Sequence, residues 1–148
     1  MQYETVELKQ TKVAGFTART NNSSPDMGAV IGGVWQKFFA QGYNAIPCKT
    51  TGKTMGIYTE YENNEQGDYT FMAGCEVSGD VPEGLEVRTL PSGKYAKFVV
   101  NGNMMTAVGE FWQKLWQLPL ERTYVFDFEE YQNADPENCE IHIYIGIK

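Results

Sequence analysis

Histidine is almost missing from this chain of 148 residues: His142 is the only one. Any mechanism that relies on an imidazole must therefore use that ring. Cysteine is scarce too, with Cys48, Cys75 and Cys139 odd in number, far apart and never in a C-x-x-C pair, so neither a disulfide framework nor a zinc site is expected. The three read as reduced thiols of a cytoplasmic protein. Residues 1–9 alternate polar and apolar and lack the basic and apolar regions of a secretory signal. No run approaches the ~18 apolar residues of a membrane span, so no membrane association is expected. Lys and Arg total 12 against 19 Asp and Glu, for a net charge of -7, and no Lys/Arg run occurs. That balance argues against direct DNA binding by this chain.

The catalytic signatures that need a fixed spacing are absent as well. Gly28, Gly32 and Gly33 fall inside a helical pattern, not in a phosphate-binding G-x-G-x-x-G after a strand, and no G-x-S-x-G elbow occurs. The polar stretch 131–138 lacks metal-ligand spacing, so neither a metal nor a cofactor is expected. His142, between Glu140 and Tyr144 on a terminal strand, reads as a sheet-surface residue.

Aromatic residues, in contrast, are plentiful: 8 Phe, 9 Tyr and 3 Trp. The hydrophobic share of 42% beside 21% charged residues suits one globular domain with a single sizeable core. Two segments have helical periodicity. Met27, Val30, Ile31, Val34, Trp35 and Phe38 form one apolar stripe, with Ser24 and Pro25 as the expected N-cap and first residue and Gly42 as the stop. Met104, Val108, Phe111, Trp112, Leu115 and Trp116 form the second, capped by Asn103 and ended before Pro119. The remaining segments alternate as strands: 3–8, 13–19, 55–61, 69–77, 86–90, 94–100, 124–131 and 139–148, with residues 62–67 as a hairpin turn.

These elements repeat. Val34-Trp35-Gln36-Lys37-Phe38-Phe39 is echoed by Phe111-Trp112-Gln113-Lys114-Leu115-Trp116, and strand, helix, strand, strand occurs twice, in about residues 1–78 and 84–148. The expected fold is α+β and pseudo-two-fold: two helices cover an antiparallel sheet, with a cleft between the halves.

The segment Tyr124-Val125-Phe126-Asp127-Phe128-Glu129-Glu130-Tyr131 is the most unusual. Ideal alternation gives Tyr124, Phe126 and Phe128 one face and Val125, Asp127, Glu129 and Tyr131 the other. Strands disfavour acids, so three in four positions need a reason. One reason is an edge strand whose solvated acids discourage pairing. The other is a carboxylate facing a cavity walled by rings and awaiting a lipophilic cation. Trp35, Trp112, Trp116, Tyr58, Tyr69, Tyr95 and Tyr144 are the candidate walls, and Glu129 could equally act as a general base.

Three motifs resemble the gyrase-inhibitor-like effector-binding domain, which also occurs as the ligand-sensing half of AraC-type and multidrug-responsive bacterial transcription activators. They are Gly56-Ile57-Tyr58-Thr59-Glu60-Tyr61 followed by residues 67–77, then Leu90-Pro91-Ser92-Gly93-Lys94-Tyr95-Ala96-Lys97-Phe98, then residues 122–131 ending in 140–147. The resemblance implies a duplicated fold around a central ligand pocket, in which Glu129 pairs with cationic lipophilic or planar aromatic compounds. It is closest to stand-alone members, since the chain has no room for a helix-turn-helix. Those members serve transcription regulation or toxin resistance by binding small molecules, act on a protein partner such as gyrase, or hydrolyse reactive lipophilic toxins with a pocket Glu. Glu129 is the catalytic candidate in that last case.

Overall fold

The alternating segments become strands and the two apolar stripes become helices. A computed structural model describes residues 2–46, 51–64 and 66–148; Cys48, read above as a reduced thiol, lies outside them. In chain order the elements are β1 (Glu4–Leu8), β2 (Thr11–Thr20), α1 (Met27–Lys37), β3 (Thr54–Thr59), β4 (Tyr69–Glu76), β5 (Glu86–Leu90), β6 (Gly93–Gly102), α2 (Met104–Leu115), β7 (Arg122–Tyr131) and β8 (Cys139–Ile147). The class is α+β, with one eight-stranded antiparallel sheet ordered β1-β6-β8-β7-β3-β4-β2-β5. Exchanging each strand for the one four places along turns this order into its own reverse.

Two short links set the shape of the sheet. β1 lies at one end and β2 next to the other, yet only Lys9 and Gln10 join them. Two residues reach at most about 11 Å, whereas six strand spacings in a flat sheet amount to about 29 Å. Pro91 and Ser92 tie β5 to β6 under the same constraint. The sheet must therefore curl until its ends approach each other. Its inner face is filled by Val13, Met55, Ile57, Met72, Leu90, Tyr95, Phe126 and Phe128, with Val6, Leu8 and Tyr144 packed against them. Every strand contributes to this cluster and no helix does, as the closed side of a curl requires.

The helices cover the outer face in two separate places. α1 closes a cluster of Val34, Phe38, Phe71, Ala73 and Cys75. α2 closes one of Phe111, Leu115, Phe98, Ile141, Ile143 and Ile145. Trp35 packs against both clusters. The central pair β3 and β7 lies between the two helices.

The helix ends differ from expectation at one point. Asn103 caps α2 as predicted, its side chain accepting bonds from the backbone N–H groups of Met105 and Thr106. At α1 the N-cap is Asp26, not Ser24, and no side chain caps it. The Ser24 hydroxyl and the Asp26 carboxylate bond each other instead, which leaves Pro25 in the turn ahead of the helix. Nor does Gly42 stop α1 as a left-handed cap. The chain continues through a π-helical turn at Phe38–Gly42, where a Cβ on Gly42 would come within 2.9 Å of the Phe16 ring.

The edge-strand explanation for the acids of β7 fails. This strand pairs with β3 on one side and β8 on the other, at the middle of the sheet. Asp127 and Glu129 are respectively 0% and 1% exposed. Replacing Asn103 by Ala removes both cap bonds of α2, and we expect it to lower stability by about 1 kcal/mol in a denaturant titration.

Candidate functional site

Between the helices, above β3 and β7, lies a cavity of about 650 Å³. Its floor is Glu129, and the reason a carboxylate fits there is found on the facing strand. Gly56 of β3 sits opposite Glu129. A Cβ at position 56 would fall 2.7 Å from Glu129 Oε1 and 3.2 Å from the Trp35 ring. Only a residue without a side chain leaves that space to the carboxylate.

Three neutral donors hold Glu129. Tyr58 and Trp112 donate to Oε2 at 2.9 and 3.1 Å, and Tyr131 donates to Oε1 at 2.8 Å. Among the described residues no Lys, Arg or His nitrogen forms an ion pair with it. Burial raises the Glu129 carboxyl above its ordinary value, and the bonds from Trp112, Tyr131 and Tyr58 oppose that rise. Burial and the adjacent carboxylate also push Tyr58 and Tyr131 well up and Tyr69 to about 12, so the phenols stay protonated.

Two residues away, Asp127 has the opposite environment. Arg122 donates to Oδ2 at 2.8 Å, Tyr61 donates to the same oxygen, and the Gly146 N–H donates to Oδ1 at 2.9 Å. Burial pushes its carboxyl up while Arg122, Tyr61 and Gly146 hold it down. The arrangement departs from ideal alternation, which would put Arg122 on the face of Phe126 and Phe128. A register shift between Arg122 and Asp127, with Tyr124 in left-handed backbone (φ 55°), reverses the parity. Arg122 thereby reaches Asp127, and the Tyr124 ring packs on Tyr61 and under the Arg122 guanidinium instead of joining Phe126.

The rings expected as walls divide into two groups. Trp35, Tyr58, Tyr69, Trp112 and Trp116 border the cavity together with Glu129. Tyr58 meets Trp112 edge-on at 5.0 Å, Trp35 meets Tyr131 edge-on at 5.5 Å, and Trp116 is 43% exposed at the mouth. Tyr95 and Tyr144 are not brought there. Both pack against Phe128 inside the curl, because their positions on β6 and β8 point to the opposite face. His142 lies at the surface beside Glu140, 2.6 Å away.

Alternation placed Tyr131 on the face of Glu129 without marking it as a wall, and sequence reasoning missed Tyr61, Arg122 and the rim. Arg122 could not have been found, because the bulge hides its face. The rim combines Met27, Met104 and Met105, flexible apolar side chains suited to irregular contacts, with Gly28, Gly32 and Gly109, around whose absent Cβ atoms nothing lies within 4 Å.

The two carboxylates predict different mutational outcomes. A carboxyl raised by burial keeps a proton that the unfolded chain has released, so stability falls as pH climbs above the ordinary value of 4.5. Glu129→Gln removes that penalty and should be at least as stable as wild type near neutral pH, with the advantage shrinking as pH drops toward the ordinary range. Asp127→Asn strands the buried Arg122 and should cost about 3–5 kcal/mol. Thermal melts between about pH 4 and about pH 8 compare the two.

Comparison with known proteins gives a consistent picture. Residues 4–147 match the Cass2 family model, described as integron-associated effector binding protein. A protein of Bacillus subtilis (strain 168), YobU, whose name proposes a transcriptional regulator, is 30% identical over 151 aligned positions, covering 95% of this chain and 94% of the relative. An integron cassette protein from the mobile metagenome of Vibrio cholerae has a TM-score of 0.81 at 27% identity, over 99% of this chain and 95% of that one. SAV2435, solved bound to tetraphenylphosphonium, shares the fold with a TM-score of 0.82 at 19% identity, over 100% of this chain and 94% of that one.

Proposed function

The chain belongs to the family of integron-associated effector-binding proteins, and from that premise we propose that its cavity captures amphipathic cationic or planar aromatic ligands. Glu129 is the charged anchor, and Trp35, Tyr58, Tyr69, Trp112 and Trp116 are the walls. The observation that carries this reading is a fully buried carboxylate held by three neutral donors, with no basic partner among the described residues. Such a group recovers its desolvation penalty when a positive charge arrives. Each ring face presented to that charge adds roughly 0.5–2 kcal/mol once water is excluded. A volume of about 650 Å³ lies within the usual range for small-molecule sites.

The ligand bound to SAV2435 has the chemistry this site calls for. In keeping with the regulator name of the B. subtilis relative, captured ligand serves as an effector signal in transcription control; sequestration of a toxic compound uses the same geometry. We read the chain as one effector-binding domain of two repeated halves, about 1–78 and 84–148, a reading supported by the self-reversing strand order.

Tetraphenylphosphonium is expected to quench the fluorescence of the cavity tryptophans, and Glu129→Gln to weaken its binding at least about tenfold, or ~1.4 kcal/mol. An unchanged dissociation constant in a folded Glu129→Gln protein would overturn the assignment of Glu129 as anchor.

A further inference from the structure

A carboxylate has about four positions at which it can accept a hydrogen bond. At Glu129 three are taken: Tyr58 and Trp112 share Oε2, and Tyr131 holds Oε1. The space left beside Oε1 lies over Gly56, where a Cβ would stand 2.7 Å from the oxygen, 3.2 Å from the Trp35 ring and 3.4 Å from the Phe71 ring. A nitrogen placed there would touch both rings and have no room for the carbon it carries. Glu129 is 1% exposed, and the rings of its three donors border the cavity.

The cavity therefore offers negative charge without offering a charged acceptor. Coulombic attraction acts across the rings and needs no contact, and the ring faces add to it. A hydrogen bond to the carboxylate, in contrast, requires one of its donors to leave. Two kinds of lipophilic cation fare differently under that condition. A protonated amine or a guanidinium ion gives up bonds from its N–H groups to water, and burial penalises any that find no new partner. The phenol oxygens can accept such a bond, but a neutral acceptor does no more than replace the water. The remaining side-chain acceptors of the lining, Asn22, Thr54 and Gln113, are neutral too, and Asn22 already accepts from Tyr69. A quaternary ammonium or phosphonium ion has no N–H to satisfy and loses nothing of this kind.

We propose that Tyr58, Trp112 and Tyr131 determine specificity by filling the acceptor positions of Glu129, so that the cavity takes cations without N–H bonds and discriminates against protonated amines and guanidinium ions of similar size. The favoured class is quaternary ammonium, phosphonium and fully N-alkylated heteroaromatic ions. The three residues have two tasks: their rings receive the ligand, and their O–H and N–H groups close the carboxylate to competing donors. The proposal rests on the Glu129 reading and adds to it the type of charge and the residues that select it.

The test uses two probes that share one skeleton, (4-benzylbenzyl)trimethylammonium and the primary ion (4-benzylbenzyl)ammonium, near neutral pH where both are charged. Their dissociation constants are measured by calorimetry against wild type and Tyr58→Phe, which keeps the ring and vacates one position on Oε2. Three methyl groups favour the quaternary probe in any apolar cavity, so the deciding quantity is the change in preference between the two proteins. Wild type should prefer the quaternary probe. Tyr58→Phe should bind the amine more tightly than wild type does and shrink that preference about tenfold or more, the range of a hydrogen bond to a charged group. A preference equal in the two proteins overturns the role of the donors and leaves the Glu129 anchor standing. So does a wild type that binds the amine at least as tightly as the quaternary probe, or a preference that shrinks only because the quaternary probe is lost. If wild type binds neither probe, the cationic-ligand reading falls, and this one with it. Should Tyr58→Phe fail to fold, Trp112→Phe vacates a position on the same oxygen and decides by the same comparison.

Discussion

The curl of the sheet is the constraint from which the remaining architecture follows. Two-residue links at Lys9-Gln10 and Pro91-Ser92 bring strands from opposite ends of the sheet within reach of each other, and no flat arrangement satisfies both. Once curled, the sheet has an inner side that only strand residues can fill, and Phe126, Phe128, Tyr95 and Tyr144 fill it. The helices are left with the outer side. Each covers its own group of strands, and the seam above β3 and β7 stays open. The cavity results from two helices covering a surface too wide for them to share.

At the base of that seam, one strand carries two carboxylates in opposite states. Asp127 is neutralised within the protein, and its guanidinium partner reaches it through a local reversal of strand parity. Among the described residues, Glu129 has only dipoles bonded to it. Both are buried to the same degree, so burial does not separate their roles; the charge of the partner does. Neutral donors orient the Glu129 oxygens without satisfying their charge. The Glu129 charge has no counter-ion among the described residues.

Much of this was legible in the sequence because period-two and period-3.6 patterns report burial directly. All eight strands and both helices lie where alternation and the apolar stripes place them, and Asn103 caps α2 as its position indicates. Glu129, Trp35, Tyr58, Tyr69, Trp112 and Trp116 share one cavity as a group of aromatic residues around an acid would. What escaped were features that depend on which face a residue takes in three dimensions. Tyr95 and Tyr144 are as aromatic as the cavity residues, yet they point into the curl, and composition carries no sign of that. Arg122 and Tyr124 escaped because a single left-handed residue shifts the alternation and leaves no mark in the pattern. The acids of β7 admitted an edge-strand reading because strand order is a long-range property, decided by links such as residues 9–10 and not by the strand itself.

The rim and the floor of the cavity differ in how they can change. At Gly56 an added methyl would collide with the carboxylate, whereas at Gly28, Gly32 and Gly109 it would enter open space. Substitutions on the helices can therefore narrow the entrance in steps as small as one carbon while the charged end of the site stays as it is. The outline of the entrance can thus vary from one sequence to another without disturbing the carboxylate beneath it.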